Sequence, residues 1–405
     1  MLSNKHPNAI SLIYNTLESE SFLTLKESRK QFIANVLVLF LSIKGRINFL
    51  QLSRFSENCE QYFRINFENK FNFQAFNLKL ILDQSISDCL VAFDPSYISK
   101  IGKMTFGLNM YWSGCAKKAK WGLEICGFAA IDVLRNTAFH LNAIQTPPIE
   151  SMTLLVYYCQ IVKENYLYFK ELSKYMVADA YFSKKEVVDT MLSLGLHFIS
   201  RLRSDSNLKY IFTGEQNGKK GANKKYDGKF NLKSINMNHF VEVISENDLK
   251  VYSAIVYSVA FKRNIKIAVA VFSKDGKETN RKIYFSTDLA LSGEKIFRYY
   301  CSRFQIEFLY RDAKQHCGLT NCQARSENKL YFHFNAALTA VNLAKVDWLK
   351  SNTNENSQFS MSDYKTMYNN DLLLNQFISK FGINPNTKKN MNIISELREW
   401  GKIAA

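Results

Sequence analysis

The spacing of apolar residues changes several times along the chain of 405 residues. Apolar positions that recur every three or four residues predict helices, and short β-branched or aromatic runs bounded by Gly, Pro or Asn predict strands. The chain divides into a helical N-terminal region (1–87), an alternating part (88–205), a β-rich insertion with a basic loop (206–290), a helical part (291–348), and a linker with C-terminal helices (349–405). The pattern predicts an α/β protein.

Residues 88–205 are predicted to run β-β-β-α-β-α-β, and with a later helix this is the order of an RNase H-like core. Parallel strands need a helix-length crossover, and Met152–Tyr175 contains no Gly or Pro and supplies one. A second helix is predicted at Lys184–Leu194, stopped by Gly195 and followed by the strand His197–Leu202.

Two predicted strands end directly before an aspartate. Cys89–Phe93 precedes Asp94, and Met176–Ala178 precedes Asp179. A carboxylate at a strand end is fixed by rigid backbone and can reach a cleft, which suits a metal ligand.

Both aspartates also have ordinary structural interpretations. The tripeptide that begins at Asp94 is a good turn sequence. Asp179 could cap the next helix, although Ser183 suits that position better. Asp132 and Asp288 also end apolar runs, and the residues alone do not exclude either as a ligand.

A third carboxylate lies in the stretch Arg298–Leu319, where nothing breaks a helix before Gly318. Here Tyr300, Arg303, Glu307 and Lys314 fall within about 60° of one another on a helix, so one stripe carries a phenol, a guanidinium, a carboxylate and an ammonium. Pairing between residues four apart, Arg303 with Glu307 and Glu307 with Arg311, is the plain alternative, worth only tenths of a kcal/mol.

Three carboxylates brought together would repel unless a cation compensates them. Asp94, Asp179 and Glu307 could therefore hold a pair of divalent metals over a phosphodiester. Hard oxygen ligands favour Mg²⁺, with Mn²⁺ as a substitute. Without metal the site should be loose or partly protonated, and its metal affinity should rise with pH.

These residues carry a family resemblance. The spacing Tyr-x2-Arg-x3-Glu-x6-Lys, within RFQIEFLYRDAKQ and followed by GLTNCQAR, resembles the C-terminal signature of DDE transposases of the insertion sequence 4 family. The segments from Phe93 to Gly114 and from Tyr175 to Asp205 resemble the first-aspartate and second-aspartate regions of that family. The similarity spans roughly residues 85–345.

The resemblance implies a site and a fold. It assigns Asp94, Asp179 and Glu307 as catalytic metal ligands, and Tyr300, Arg303 and Lys314 as contacts to the DNA end next to the cut. It implies an RNase H-like catalytic core interrupted by a β-rich insertion. It places Asp132 on a non-catalytic strand and Asp288 at the end of the insertion. The N-terminal helices could bind DNA or pack as a collar on the core, and the resemblance favours DNA contact.

Charge and composition agree with a polyanionic partner. The formal net charge is +17, which favours nucleic acid over a merely basic protein. Lysines and arginines are spread along the chain, which weakens a membrane-surface interpretation. Lys100, Lys103, Lys117, Lys118 and Lys120 after Asp94, and Lys219, Lys220, Lys224 and Lys225 in the basic loop, are possible phosphate contacts or simply solvated side chains.

The eight cysteines show no zinc-finger spacing and are expected to be reduced thiols of a cytosolic protein, and the polar start Met1–Pro7 does not predict a secretion signal. The resemblance implies a bacterial cytoplasmic, nucleoid-associated protein. We therefore expect a transposase that cuts at terminal inverted repeats and joins the 3′ ends to target DNA, as a homodimer on double-stranded DNA and without membrane contact. The alternatives are a metal-dependent nuclease that cuts without joining, and an inactive transposase-derived DNA-binding protein.

Overall fold

One mixed β-sheet runs through the protein, which we describe from a computed structural model for residues 8–216, 222–351 and 358–403. Its strands within these residues are β1 (Cys89–Ser99), β2 (Asn109–Ser113), β3 (Lys118–Asp132), β4 (Thr137–Gln145), β5 (Tyr175–Val177), β6 (His197–Leu202), β7 (Leu208–Ile211), β8 (Tyr226–Lys229), β9 (Val241–Glu246), β10 (Leu249–Ser258), β11 (Arg263–Lys274) and β12 (Lys277–Ser286). Their order is β2-β3-β1-β5-β6-β12-β11-β10-β7-β8, with β4 on β3 and β9 on β10. Strands β1, β5 and β6 are parallel neighbours, and the other pairs are antiparallel. The predicted α/β class is confirmed.

Helices at both ends of the chain and between the strands complete the fold. They are α1 (Asn8–Leu17), α2 (Glu27–Ser42), α3 (Phe49–Arg54), α4 (Glu60–Glu68), α5 (Phe73–Leu82), α6 (Leu154–Lys170), α7 (Lys185–Ser193), α8 (Gly293–Ser302), α9 (Gln305–His316), α10 (Glu327–Ser351), α11 (Met361–Lys380) and α12 (Lys388–Glu399). None of the helices in this described part of the chain is both long and apolar enough to cross a bilayer.

The N-terminal helices pack on the central helix α10. Phe32 and Phe67 bury their rings against Phe332 of α10, with centroids 5.9 and 4.3 Å apart. Asn77 of α5 donates to the Leu141 carbonyl of β4 at 3.2 Å and to Thr339 of α10 at 3.0 Å. A packing role is thus present, whereas DNA contact by these helices stays a prediction.

The crossovers between the parallel strands follow the sequence pattern closely. Helix α6 lies within the predicted Met152–Tyr175, and α7 ends before Gly195, which takes a positive φ of 72° that favours glycine. Strand β6 has the predicted bounds. Strand β4 was not predicted; its residues Phe139, Leu141 and Ala143 alternate and are fully buried.

The insertion continues the same sheet, because β12 pairs with β6 of the first part. Strands β10 and β11 form a hairpin whose turn contains Lys262 at a φ of 55°. In the predicted basic loop, Lys224 donates to Asp227 at 2.8 Å, whereas Lys219 and Lys220 lie outside the described residues.

The C-terminal helices return to the start of the chain. Helix α11 packs on α2, and Lys365 of α11 donates to the Phe40 carbonyl. Residues 352–357 of the predicted linker lie outside the described residues.

Candidate active site

Asp94 lies in the middle of a strand and not at its end. Strand β1 extends to Ser99 because β3 pairs with it along its full length, with Asp94 opposite Gly127. The neighbour on the other side, β5, stops at Val177, so β1 beyond Ala92 has β3 as its partner in the sheet. Proline is tolerated in such an edge-like segment, which explains why Pro95 does not end the strand.

Asp179 reaches the same level of the sheet from the parallel strand. Val177 is the register partner of Ala92, and Asp179 and Asp94 each follow two residues later. The Asp179 carboxylate accepts from the Tyr181 amide at 2.7 Å and caps a short 3-10 turn, while its carbonyl accepts from Ser200 at 2.8 Å.

The predicted capping role of Ser183 is therefore wrong. Ser183 donates instead to Ser200 and to the Arg201 carbonyl, at 2.9 and 2.8 Å, and α7 begins without a side-chain cap.

Glu307 lies at the start of α9, after a break that the sequence did not predict. Arg303 and Phe304 separate α8 from α9, although both keep helical dihedral angles. The amides of Arg303, Phe304, Ile306 and Glu307 donate to the carbonyl three residues back, for example Glu307 to the Phe304 carbonyl at 3.0 Å. This tight turn directs the start of α9 at strand β1.

Arg303 joins two of the three carboxylates. Its guanidinium lies 3.4 Å from an oxygen of Asp94 and 3.0 Å from an oxygen of Glu307. The side chain is 13% exposed, and its Nε is buried without a hydrogen-bond partner among the described residues. The predicted Arg303–Glu307 pair is thus present, but Arg311 pairs with Asp312 at 3.2 Å and not with Glu307.

The charges of the other two carboxylates act on the pKa of Asp94. The pKa of Asp94 is raised to about 7, chiefly by burial and also by the charges of Glu307 and Asp179, while Arg303 and Lys314 lower it. Residues separated by more than eighty positions in sequence therefore act on one carboxyl group.

The donor set fits a hard divalent cation in its chemistry, since all three groups supply carboxylate oxygen. In the arrangement described, no three His, Cys, Asp or Glu side chains of the described residues form a ready metal cluster. The Arg303 guanidinium now supplies the positive charge between Asp94 and Glu307. A bound cation would supply that compensation in its place.

Lys314 and Tyr300 flank this centre. Lys314 donates to the hydroxyl of Ser96 at 2.9 Å, two residues beyond Asp94 on β1, and burial lowers its pKa. The half-buried Tyr300 ring lies 4.7 Å from the Tyr284 ring and 5.9 Å from the Arg303 guanidinium. Of the predicted stripe, Lys314 thus lies beside β1 and Tyr300, before the break in the helix, lies beside β12.

Asp132 and Asp288, the competing aspartates, are held elsewhere by their own partners. Asp132 lies opposite Cys89 at the far end of β1 and pairs with Arg135 at 2.8 Å. Asp288 accepts from Tyr175 at 2.8 Å and from Lys174 at 3.2 Å. Lys100, one of the possible phosphate contacts, donates to the carbonyls of Cys322 and Ala324 and is structural.

Sequence reasoning missed two residues that fix the site. Tyr310 of α9 donates its hydroxyl to the Asp94 carbonyl at 2.6 Å. It fits only because Gly127 lies opposite Asp94: a Cβ there would be 1.9 Å from the tyrosine oxygen. Tyr310 follows Glu307 by three residues, which was a signal, but the glycine can be recognised only from the strand register.

Comparison with known proteins supports the same chemistry. Residues 160–343 match the family model described as Transposase DDE domain. Over this range the chain is similar to DDE transposases. The match includes Asp179, Tyr300, Arg303, Glu307 and Lys314, whereas Asp94 precedes it and is linked to the site by geometry. No curated protein gives a significant match to the chain.

Proposed function

We propose that the protein is a DNA transposase of the insertion sequence 4 family, with an RNase H-like core formed by residues 88–205 and 291–348. One observation carries the proposal: Arg303 pairs with both Asp94 and Glu307, and Asp179 lies at the level of Asp94 on the neighbouring parallel strand, in a chain similar to the transposase DDE domain. Phosphodiester cleavage uses this kind of carboxylate cluster.

In this proposal the three carboxylates hold the metal. Mg²⁺, or Mn²⁺ as a substitute, would supply charge neutralisation and the activation of water that phosphodiester hydrolysis requires. Asp94 lies on a strand held by Tyr310, and Asp179 is fixed by Ser200, so two of the ligands have rigid backbones.

The basic residues of the site bind the DNA. Once the carboxylates have another counter-charge, the Arg303 guanidinium is free to donate its fork to a phosphate. Lys314 offers a point charge beside Ser96, and Tyr300 a donor and a ring face. Cleavage would leave 3′-hydroxyl ends at the terminal inverted repeats, and these ends would attack target DNA. Two DNA ends imply a homodimer on DNA.

The test uses Asp179→Asn on a plasmid that carries the DNA flanking the gene. We expect strand cleavage in Mg²⁺ to be lost while mobility-shift binding is retained, because the amide keeps the shape but not the charge. Asp248→Asn, an exposed aspartate between β9 and β10, is the matched control and should cleave normally.

Joining is tested separately with pre-cut ends that carry free 3′-hydroxyl groups. Cleavage without joining would leave a metal-dependent nuclease, and binding without cleavage by the wild type would leave a DNA-binding protein. Full cleavage by Asp179→Asn would remove the assignment of this residue. Binding should weaken with salt, with a slope of about −0.9 per neutralised phosphate in a double-logarithmic plot.

A further inference from the structure

The hairpin formed by β2 and β3 exposes three large apolar side chains. Met110, Trp112 and Trp121 are 54%, 63% and 51% exposed. Met110 is the register partner of Trp121, and Trp112 is the partner of Ala119, so all of them lie on one face of the hairpin. Contiguous exposed apolar residues of this size indicate an interaction surface.

This face is continuous with the face of the sheet that carries the candidate active site. Asp94 lies opposite Gly127, and Trp121 precedes Gly127 by six residues on β3 without a register shift against β1 or β2. An even separation in a strand keeps side chains on the same face. Six residues at about 3.3 Å each make a contour length of roughly 20 Å along β3 between Trp121 and the level of Asp94.

Lys314 lies between the turn of the hairpin and the candidate active site. It contacts Ser96, which shares the face of Asp94. Its electrostatic environment includes both Asp94 and the thiol of Cys115, which lies in the turn between β2 and β3. The turn therefore lies near the basic side of the active site.

The charge of the hairpin suits a polyanion. From Lys100 to Gly122 the chain contains five lysines and no acidic residue. Lys118 and Lys120 lie on the face opposite the tryptophans, since their partners are Ser113 and Tyr111. Both, together with Lys103 and Lys117, are exposed, and no carboxylate of the described residues pairs with any of the four.

We propose that this hairpin binds DNA next to the cut: Trp112 and Trp121 stack on bases that have left the duplex, and the lysines of the hairpin supply a positive potential that attracts the phosphates. The inference rests on the proposed function and adds a subsite to it. Aromatic side chains stack on unpaired bases of any sequence. A protein partner is disfavoured because the hairpin as a whole is basic and has no acidic residue, and because the tryptophan face continues from the face on which the cut would occur.

The experiment compares a fluorescein-labelled duplex with the same duplex containing a stretch of mismatched bases, by fluorescence anisotropy. We expect the wild type to bind the mismatched DNA more tightly. The double variant Trp112→Ala/Trp121→Ala should lose that preference, with binding weaker by roughly fivefold or more per lost stacking contact. Trp112→Phe/Trp121→Phe keeps two rings and should restore most of it.

The matched control is Trp400→Ala, because this tryptophan is 71% exposed and follows α12. It should bind both DNAs like the wild type. Thermal unfolding shows that each variant is folded, and the single variant Trp112→Ser replaces the double variant if that one does not fold. The proposal would be overturned if the double alanine variant is folded and keeps the full preference for mismatched DNA. It would also be overturned if that variant binds DNA like the wild type but no longer self-associates in sedimentation, which would make the face a protein interface.

Failure of this proposal is distinguishable from failure of the proposed function. A protein that cleaves DNA but shows no effect of the tryptophans loses only the hairpin subsite. A protein that cannot cleave but binds mismatched DNA through the tryptophans retains the subsite and loses the catalytic assignment.

Discussion

Replacing Gly127 with alanine should destabilise the contact between α9 and β1, the strand that carries Asp94. The new Cβ would lie 1.9 Å from the hydroxyl oxygen of Tyr310 and 2.9 Å from the ring carbon that bears it. Real side chains do not approach this closely, so either α9 or β3 must move. Tyr310 is 5% exposed and is held by its hydrogen bond to the Asp94 carbonyl, which a shift of the ring would strain or break.

Two costs add up to the expected magnitude. Overpacking a filled core costs about 1–3 kcal/mol. Losing the Tyr310 hydrogen bond inside the protein costs about 1–3 kcal/mol more, because a buried polar group is left unpaired. We expect Gly127→Ala to lower the free energy of unfolding by about 2–6 kcal/mol, measured by urea denaturation followed by circular dichroism.

A double-mutant cycle identifies the cause. Tyr310→Phe removes the atom closest to the new Cβ, so Gly127→Ala should cost less in that background than in the wild type. Equal costs in the two backgrounds would show that the clash with Tyr310 is not the source of the destabilisation. A neutral Gly127→Ala would refute the reasoning altogether.

Two further predictions concern pH. Burial lowers the pKa of His140 to about 3, so below about pH 6.5 only the unfolded chain takes up this proton, and stability should fall by about 1.4 kcal/mol per pH unit. In urea denaturation His140→Gln should lower that slope by the same amount, and an unchanged slope would contradict it. Because the pKa of Asp94 is about 7, Mn²⁺ affinity by calorimetry should rise between about pH 6 and pH 8 in the wild type but not in Asp94→Asn; equal affinity across this range would argue against Asp94 as a ligand.

The sequence predicted elements whose ends are marked by local chemistry. Helix α7 ends before Gly195 and β6 has its predicted bounds, because the glycine and the short run with apolar residues after it are visible in the sequence itself. The break at Arg303 was not predictable, since no Gly or Pro stands there and both residues of the turn stay helical in their dihedral angles. It results from tertiary packing of α8 and α9 on different strands.

The candidate site was likewise predictable only where neighbouring residues carry a local pattern. Glu307 and Arg303 were placed together by helical spacing, and their pairing follows from it. That Asp94 lies in mid-strand depends on β3 extending beside it to Gly122, a long-range pairing without a local signal. The role of Gly127 depends on how β3, β1 and α9 are placed against one another, and no single segment of the sequence predicts that placement.

The continuity of the sheet from β6 into β12 limits how the protein can be shortened. Excising residues 206–290 to obtain a minimal catalytic fragment would strip Ile199–Leu202 of its hydrogen-bonded neighbour and leave a bare strand edge open to aggregation. It would also remove Tyr284, against which Tyr300 of α8 rests. The inserted segment therefore supports α8, the helix that leads into α9 and Glu307. Any shortened protein would need another surface for α8 to pack on.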